Sequence, residues 1–208
     1  MAERPRDWVP VEQRLLGLDR RTFPAGLIAL AVALVLIYGW QAVNAAIPWH
    51  NEIRAGQVLD LGSGATAVPP VGWQLESGTL VGGAGANARA VQVLLASGGA
   101  TIELAGTAYT GAAEAFLDQV ERAEGDDPDV TGTRGTVTTD AGLVGVVESR
   151  TGPSGDGIDV AFKMALDPAE AAGSPALLVR VRTAGGQFER YQDEVSALLR
   201  SITPGVAR

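Results

Sequence analysis

The sequence predicts an α+β protein, with an N-terminal transmembrane helix followed by an antiparallel β-sheet flanked by two α-helices. Three observations predict this fold class: one long apolar run near the N-terminus, a series of short apolar segments separated by Gly, Pro and Ser, and two amphipathic helical patterns. The expected parts are a cytoplasmic tail, a transmembrane helix, a connector, one extracytoplasmic domain and a C-terminal tail, at residues 1–22, 23–43, 44–56, 57–203 and 204–208.

The apolar run from Phe23 to Val43 contains no charged residue. About twenty such residues are what an α-helix needs to cross a bilayer core of roughly 30 Å. Arg20 and Arg21 precede the run, while Tyr38 and Trp40 lie near its other end, where aromatic rings favour the membrane interface. The run therefore predicts a membrane anchor.

Charge predicts the orientation of this anchor. Residues 1–22 contain five Arg, whereas Arg54 is the only basic residue within about fifteen residues beyond the helix. Because basic flanks stay in the cytoplasm, a single-pass protein of the cell membrane with an extracytoplasmic domain is expected. Two alternatives stay open, namely a signal peptide cleaved near Val43-Asn44-Ala45 and a helix buried in a protein core.

Composition excludes several classes of function for the region after the helix. Residues 44–208 carry eleven Lys and Arg against twenty Asp and Glu, so phosphate backbones are not attracted and nucleic acid is not an expected partner. The chain has no cysteine, which excludes disulfides and thiolate catalysis. Its single histidine, His50, builds neither a His-based metal site nor a proton relay to a serine. No catalytic residue, cofactor or metal site is predicted.

Short apolar segments predict nine strands in this region. The clearest alternation runs from Ile158 to Ala165, where apolar residues alternate with a set that includes Asp159 and Lys163, and this predicts one buried face and one wet face. Short Gly-rich connectors at 97–99 and 154–157 favour antiparallel hairpins. The predicted strands are 57–61, 65–68, 72–75, 90–96, 101–105, 135–139, 143–150, 158–166 and 177–183.

Two amphipathic patterns predict helices that each pack on one face of the sheet. The first is expected over 111–124, with Thr110 as its N-cap and Gly125 as its stop. The second is expected over 187–202. The apolar face of the first helix comprises Ala113, Phe116, Leu117 and Val120, and that of the second Phe188, Tyr191, Val195, Leu198, Leu199 and Ile202.

The segment Val68-Pro69-Pro70-Val71-Gly72-Trp73 resembles the strand–Pro–x–Gly–Trp opening of the Mog1p/PsbP-like fold. The helix around 113–117 and the last helix, which ends at Leu198-Leu199-Arg200-Ser201-Ile202, follow in the same order as in that fold. Actinobacterial envelope proteins similar to the LpqN lipoproteins share this layout, with a lipidated Cys where this chain has a predicted helix. The resemblance covers residues 56–203 and implies a binding or accessory role around envelope lipids and their transporters, without catalytic residues.

Two polar patterns have a functional and a plainer interpretation. Residues 83–88 with Glu103 match a dinucleotide-binding motif, but the alternation after them favours a glycine loop. An acidic group near the end of the first helix offers oxygen ligands for Ca²⁺, but its spacing and Pro128 favour a solvated acidic loop. This group comprises Glu121, Glu124, Asp126, Asp127 and Asp129.

These observations predict a non-enzymatic, membrane-anchored accessory protein of the cell envelope. It is expected to dock on a membrane-protein partner or to bind an apolar ligand such as lipid. Candidate residues for an apolar ligand site, or else for packing, are Trp73, Phe116 and Tyr191. A shared cavity would favour lipid binding, whereas a solid core would favour docking. The alternative from another class is an envelope hydrolase that uses carboxylates or a bound metal.

Overall fold

The computed structural model describes residues 14–15, 18–19, 23–34, 51–83, 91–125, 132–153 and 155–205. The chain forms two compact units, residues 1–49 and residues 50–208. In the first unit, β1 (Arg14–Leu15) pairs with β2 (Leu18–Asp19) in an antiparallel hairpin that the sequence analysis did not predict. It is followed by α1 (Phe23–Leu34), which has 12 residues.

Helix α1 covers the first part of the predicted membrane span. The rest of that span, residues 35–43, lies outside the described residues. Within the described residues, no helix combines the length and the apolar character needed to cross a bilayer.

The second unit is built on a seven-stranded antiparallel sheet, with strand order β5-β6-β7-β11-β10-β9-β8. Strands β3 and β4 pair in a separate two-stranded antiparallel hairpin. The predicted class of an α+β domain, with an antiparallel sheet flanked by helices, is confirmed. The strands of the second unit are β3 (Leu59–Asp60), β4 (Thr66–Ala67), β5 (Gln74–Ser77), β6 (Gln92–Ser97), β7 (Ala100–Thr107), β8 (Arg134–Thr138), β9 (Val144–Gly152), β10 (Gly155–Lys163) and β11 (Ala176–Thr183). Its helices are α2 (Ala113–Glu124), α3 (Pro168–Ala171) and α4 (Phe188–Ser201).

Helix α4 packs on one face of the sheet, and its predicted apolar side is confirmed. Five of the six predicted residues are buried, while Phe188 is half-buried. After α4, the chain pairs with the hairpin β3–β4 through an antiparallel bridge between Thr203 and Thr66. The core beneath α4 includes Val93, Leu95, Ile102, Leu104, Val160, Phe162, Val179 and Val181.

Helix α2 covers part of the opposite face, against β9, β10 and β11. Phe116 and Leu117 are its buried residues. The helix begins later than predicted, because its N-cap is Ala112, without a side-chain cap, and not Thr110. The Gly111 N–H donates to the Ala172 carbonyl (2.9 Å), which ties the preceding loop to the segment after α3. The predicted stop at Gly125 is confirmed, with φ of 91°.

Strand β10 is buried on both faces, so the expectation of a wet face is wrong. Asp159 is 1% exposed and Lys163 is 5% exposed, although both lie on the side predicted to face water. The reason is that α2 covers this side of the sheet. Charged groups buried in this way require partners close by.

Candidate functional site

A row of charged side chains crosses the sheet on the face that carries α2. In the strand register, Glu148 pairs with both Arg134 and Asp159, and Arg180 pairs with both Asp159 and Glu103. Directly opposite residues on neighbouring strands point to the same face. Five charged residues of five adjacent strands therefore form one line, which we call the charged row: Arg134, Glu148, Asp159, Arg180 and Glu103.

Three arginines surround Asp159, the most buried member of the row. Arg182 binds both carboxylate oxygens, with Nη1–Oδ1 of 2.7 Å and Nη2–Oδ2 of 2.9 Å. Arg150 Nη1 lies 3.2 Å from Oδ2, and Arg180 Nε lies 3.4 Å from Oδ1. These charge-assisted contacts compensate for the burial of the carboxylate.

The glycine at position 157 leaves room for this arrangement. In register, Gly157 lies between Arg150 of β9 and Arg182 of β11. A β-carbon at this position would come closer than 3.0 Å to the carbonyl oxygen of Val181. A side chain here would therefore push β11 away and fill the space between the two arginines.

The C-terminal end of α2 is joined to the same arginines through Glu124. Its carboxylate pairs with Arg150 (3.1 Å) and with Arg180. A negative charge in the last turn of a helix opposes the helix dipole, and the two guanidinium groups offset this cost. Helix α2 is thus held over the centre of the sheet by ion pairs as well as by Phe116 and Leu117.

Arg134, on the edge strand β8, forms ion pairs with acidic residues along one side of α2. Its guanidinium lies 2.6 Å from each of Asp118, Glu121 and Glu148, and 4.0 Å from Glu114. The three helical acids follow a four-then-three spacing, which places them on one side of α2. Hydrogen bonds to Glu148 and Asp118 raise the pKa of Arg134.

Glu121 and Glu148 form a carboxyl pair beside Arg134. Burial raises the pKa of Glu121 to about 7, assisted by its hydrogen bond to Glu148 and by the negative charge of that residue, while Arg134 acts in the opposite direction. Burial also acts to raise the pKa of Glu148, but hydrogen bonds from Glu121 and Arg134 outweigh it and lower this pKa. At mildly acidic pH the pair therefore holds one proton, mainly on Glu121.

Lys163, the only lysine of the chain, lies on the same face. Its ammonium donates to the Tyr109 carbonyl oxygen (2.6 Å) and lies 5.4 Å from the centre of the Tyr109 ring. Burial lowers the pKa of Lys163. The contact holds the loop that leads into α2 against the end of β10.

The sheet separates the three aromatic residues proposed for an apolar ligand site. Trp73 and Tyr191 lie in the core beneath α4, with ring centres 5.7 Å apart in an edge-to-face contact. Trp73 donates its indole N–H to Glu194 (2.7 Å) and is 1% exposed. Phe116 lies on the opposite face, against Tyr109. The three side chains therefore do not line one cavity, and an apolar-ligand role for any of them stays a prediction.

The remaining sequence patterns fall partly outside the described residues. This holds for residues 84–88 of the glycine motif, for Asp126, Asp127 and Asp129, and for His50. Glu121 and Glu124 do not belong to a solvated loop, because both lie on α2 in ion pairs with sheet arginines. In the described ranges, no group of three or more His, Cys, Asp and Glu is arranged to hold a metal ion.

The charged row itself was missed by the sequence analysis. Strand alternation was the available signal, because it places Asp159 on one side of β10 and both Arg180 and Arg182 on one side of β11. Alternation alone does not tell which strands are neighbours or that a helix covers this side.

No protein-family profile and no curated protein sequence matches this chain. Among solved structures, it is similar to the solution structure of cyanobacterial PsbP (CyanoP) from Synechocystis sp. PCC 6803, with a TM-score of 0.43 and 12% sequence identity. The match covers 68% of this chain and 87% of that chain.

Proposed function

We propose that residues 50–208 form a non-enzymatic accessory domain of the cell envelope, anchored by a helix at residues 23–43, that docks on a membrane-protein partner. The observation that carries the choice of docking over lipid binding is the placement of the aromatic residues. Trp73 and Tyr191 contact each other in the core, and Phe116 packs on the other face. The sequence resemblance to LpqN-like proteins supports the envelope setting.

Photo-crosslinking in cells tests this proposal with the full chain. A photoreactive residue at Gln92 or Thr101, exposed on the part of the sheet beside α2, is compared with one at Gln192, exposed on the outer side of α4. If the domain docks, photoreactive residues at neighbouring positions of one surface are expected to form one discrete adduct with a membrane protein. Photoreactive residues on the other surface are expected to form none. Lipid adducts from a photoreactive residue at Phe116 or Tyr191 would instead favour an apolar ligand.

The orientation of the anchor gives a second prediction. A reporter that is active only outside the cytoplasm, fused after Arg208, is expected to be active, because the basic residues lie before the apolar run. Replacing Arg20 and Arg21 with Glu is expected to lower this activity, whereas the same change at Arg4 and Arg6, farther from the run, has a smaller effect. A silent external reporter together with an active cytoplasmic one would contradict the orientation.

One observation favours the alternative of an envelope hydrolase. Glu121 has a pKa of about 7, a value suited to a general acid near neutral pH. However, the Arg134 guanidinium lies 2.6 Å from both Glu121 and Glu148, so the two carboxylates face one cation, whereas the paired acids of glycosidases flank the substrate at about 5–9.5 Å from each other. The full chain would be a hydrolase, and the docking proposal would be wrong, if it turned over an envelope glycan or ester and lost this activity in Glu121→Gln.

A further inference from the structure

The contact between α2 and the β8–β9 edge of the sheet has an excess of negative charge. Glu114, Asp118 and Glu121 of α2 and Glu148 of β9 all face the single guanidinium of Arg134. With all four acids ionised, four negative charges would surround one positive charge. Repulsion among carboxylates at such distances disfavours the docked helix.

The other charged groups around this contact do not remove the excess. Arg122 of α2 donates to the backbone carbonyl of Asp118. Arg150 of β9 pairs with Glu124 and Asp159, although its charge also acts on Glu148. The local balance therefore depends on whether one of the four acids holds a proton.

The geometry indicates where that proton lies. Glu121 and Glu148 each lie 2.6 Å from the Arg134 guanidinium, so the two carboxyl groups share one cation, and a proton on either of them relieves the repulsion between them. The Glu121 Oε1 atom is buried and accepts a hydrogen bond from no donor in the described part of the chain. An ionised Glu121 would thus leave a buried, negatively charged oxygen without a donor, which is costly.

We propose that a proton shared between Glu121 and Glu148 fastens α2 to the β8–β9 edge, and that loss of this proton loosens the helix. The helix would then be held firmly at mildly acidic pH and more weakly at neutral pH. This inference stands on the contacts of Arg134 and does not depend on the proposed function.

The pH range follows from linkage. Glu121 has a folded-state pKa of about 7, above its ordinary value of 4.5, so its stabilising contribution is complete below about pH 4.5 and is lost as the pH rises to about 7. The pKa of Glu148 is lowered, so its contribution is present above about pH 4.5 and is lost as the pH falls below that value. The contact is therefore expected to be strongest near pH 5.

The test uses the full chain in a mild detergent, with His50→Gln as the background because imidazole groups ordinarily titrate in this range. Unfolding of this chain is compared with that of chains also carrying Glu121→Gln, which keeps a neutral hydrogen-bonding group. The measured quantity is the unfolding constant of the background chain divided by that of the chain with Glu121→Gln. This ratio is expected to rise by about tenfold to a hundredfold between pH 5 and pH 7 and then to level off. Glu76→Gln, which changes an exposed glutamate on β5, serves as the matched control and should keep the background behaviour.

Carboxyl-carbon NMR of the same protein gives a direct readout. One glutamate is expected to titrate with a midpoint near pH 7, to disappear in Glu121→Gln and to move towards the ordinary range in Glu148→Gln. A spectrum in which every glutamate titrates near pH 4–5 would overturn the proposal. An unfolding constant with the same pH dependence in the background chain and in Glu121→Gln would also overturn it.

Discussion

A chain that ends at Gly186 is expected to lose the cooperative unfolding of the domain at residues 50–205. The truncation removes α4, and with it Tyr191, Val195, Leu198 and Leu199, which are buried in the core on one face of the sheet. It also removes Glu194, the partner of the Trp73 indole, and Thr203, which pairs with the small hairpin. Far-UV circular dichroism during heating measures the result, since the intact full chain should show a sharp transition.

Point variants separate this loss of packing from a general effect of shortening the chain. Leu198→Ala empties a position that is 1% exposed and is expected to lower the free energy of unfolding by about 2–5 kcal/mol. Phe188→Ala should cost less, because Phe188 is half-buried, and Gln192→Ala, on the outer side of α4, should change little. A truncated chain that still melts cooperatively would make α4 a free amphipathic element and thus the natural partner-binding surface.

Asp159→Asn is expected to destabilise the domain by about 3–5 kcal/mol, because it removes the central negative charge from a buried ion-pair network. Arg150, Arg180 and Arg182 would then face one another without the carboxylate that all three contact. Chemical denaturation of the full chain measures the change. Asp193→Asn, at an exposed position of α4, is the matched control and should leave stability nearly unchanged.

A double substitution tests whether charge balance causes this loss. Removing Arg182 as well, by Arg182→Gln, relieves part of the repulsion among the remaining arginines. The effect of the pair is therefore expected to be smaller than the sum of the two single effects. Strictly additive effects would show that Asp159 acts through packing and not through its charge.

The parts of the domain with a regular apolar period were predicted well from the sequence. Both amphipathic helices and all nine strands after residue 50 are present, because their patterns depend on residues close together in the chain. The short helix α3 was missed, although a local signal existed. Asp167 caps it by accepting from the Ala169 N–H (2.8 Å), and Pro168 follows at its first position.

The charged row could not be predicted in the same way. Its pairs join residues distant in the chain, such as Arg134 with Glu148 and Arg180 with Asp159. Their meeting depends on strand order and on the placement of α2, which no local period encodes. The pattern around Asp159 therefore indicated a wet face, whereas the folded sheet makes this carboxylate one of the most buried groups.

Because Lys163 is buried, its chemical reactivity reports local opening of the folded domain. No other side chain in the sequence carries a primary amine, and this one is fixed against Tyr109 at the end of strand β10. Acylating reagents and lysine-specific proteases therefore reach their single side-chain target only when the contact between Lys163 and the Tyr109 segment opens. The rate of acylation, or of cleavage into two fragments, measures how often this end of β10 opens, without any introduced probe.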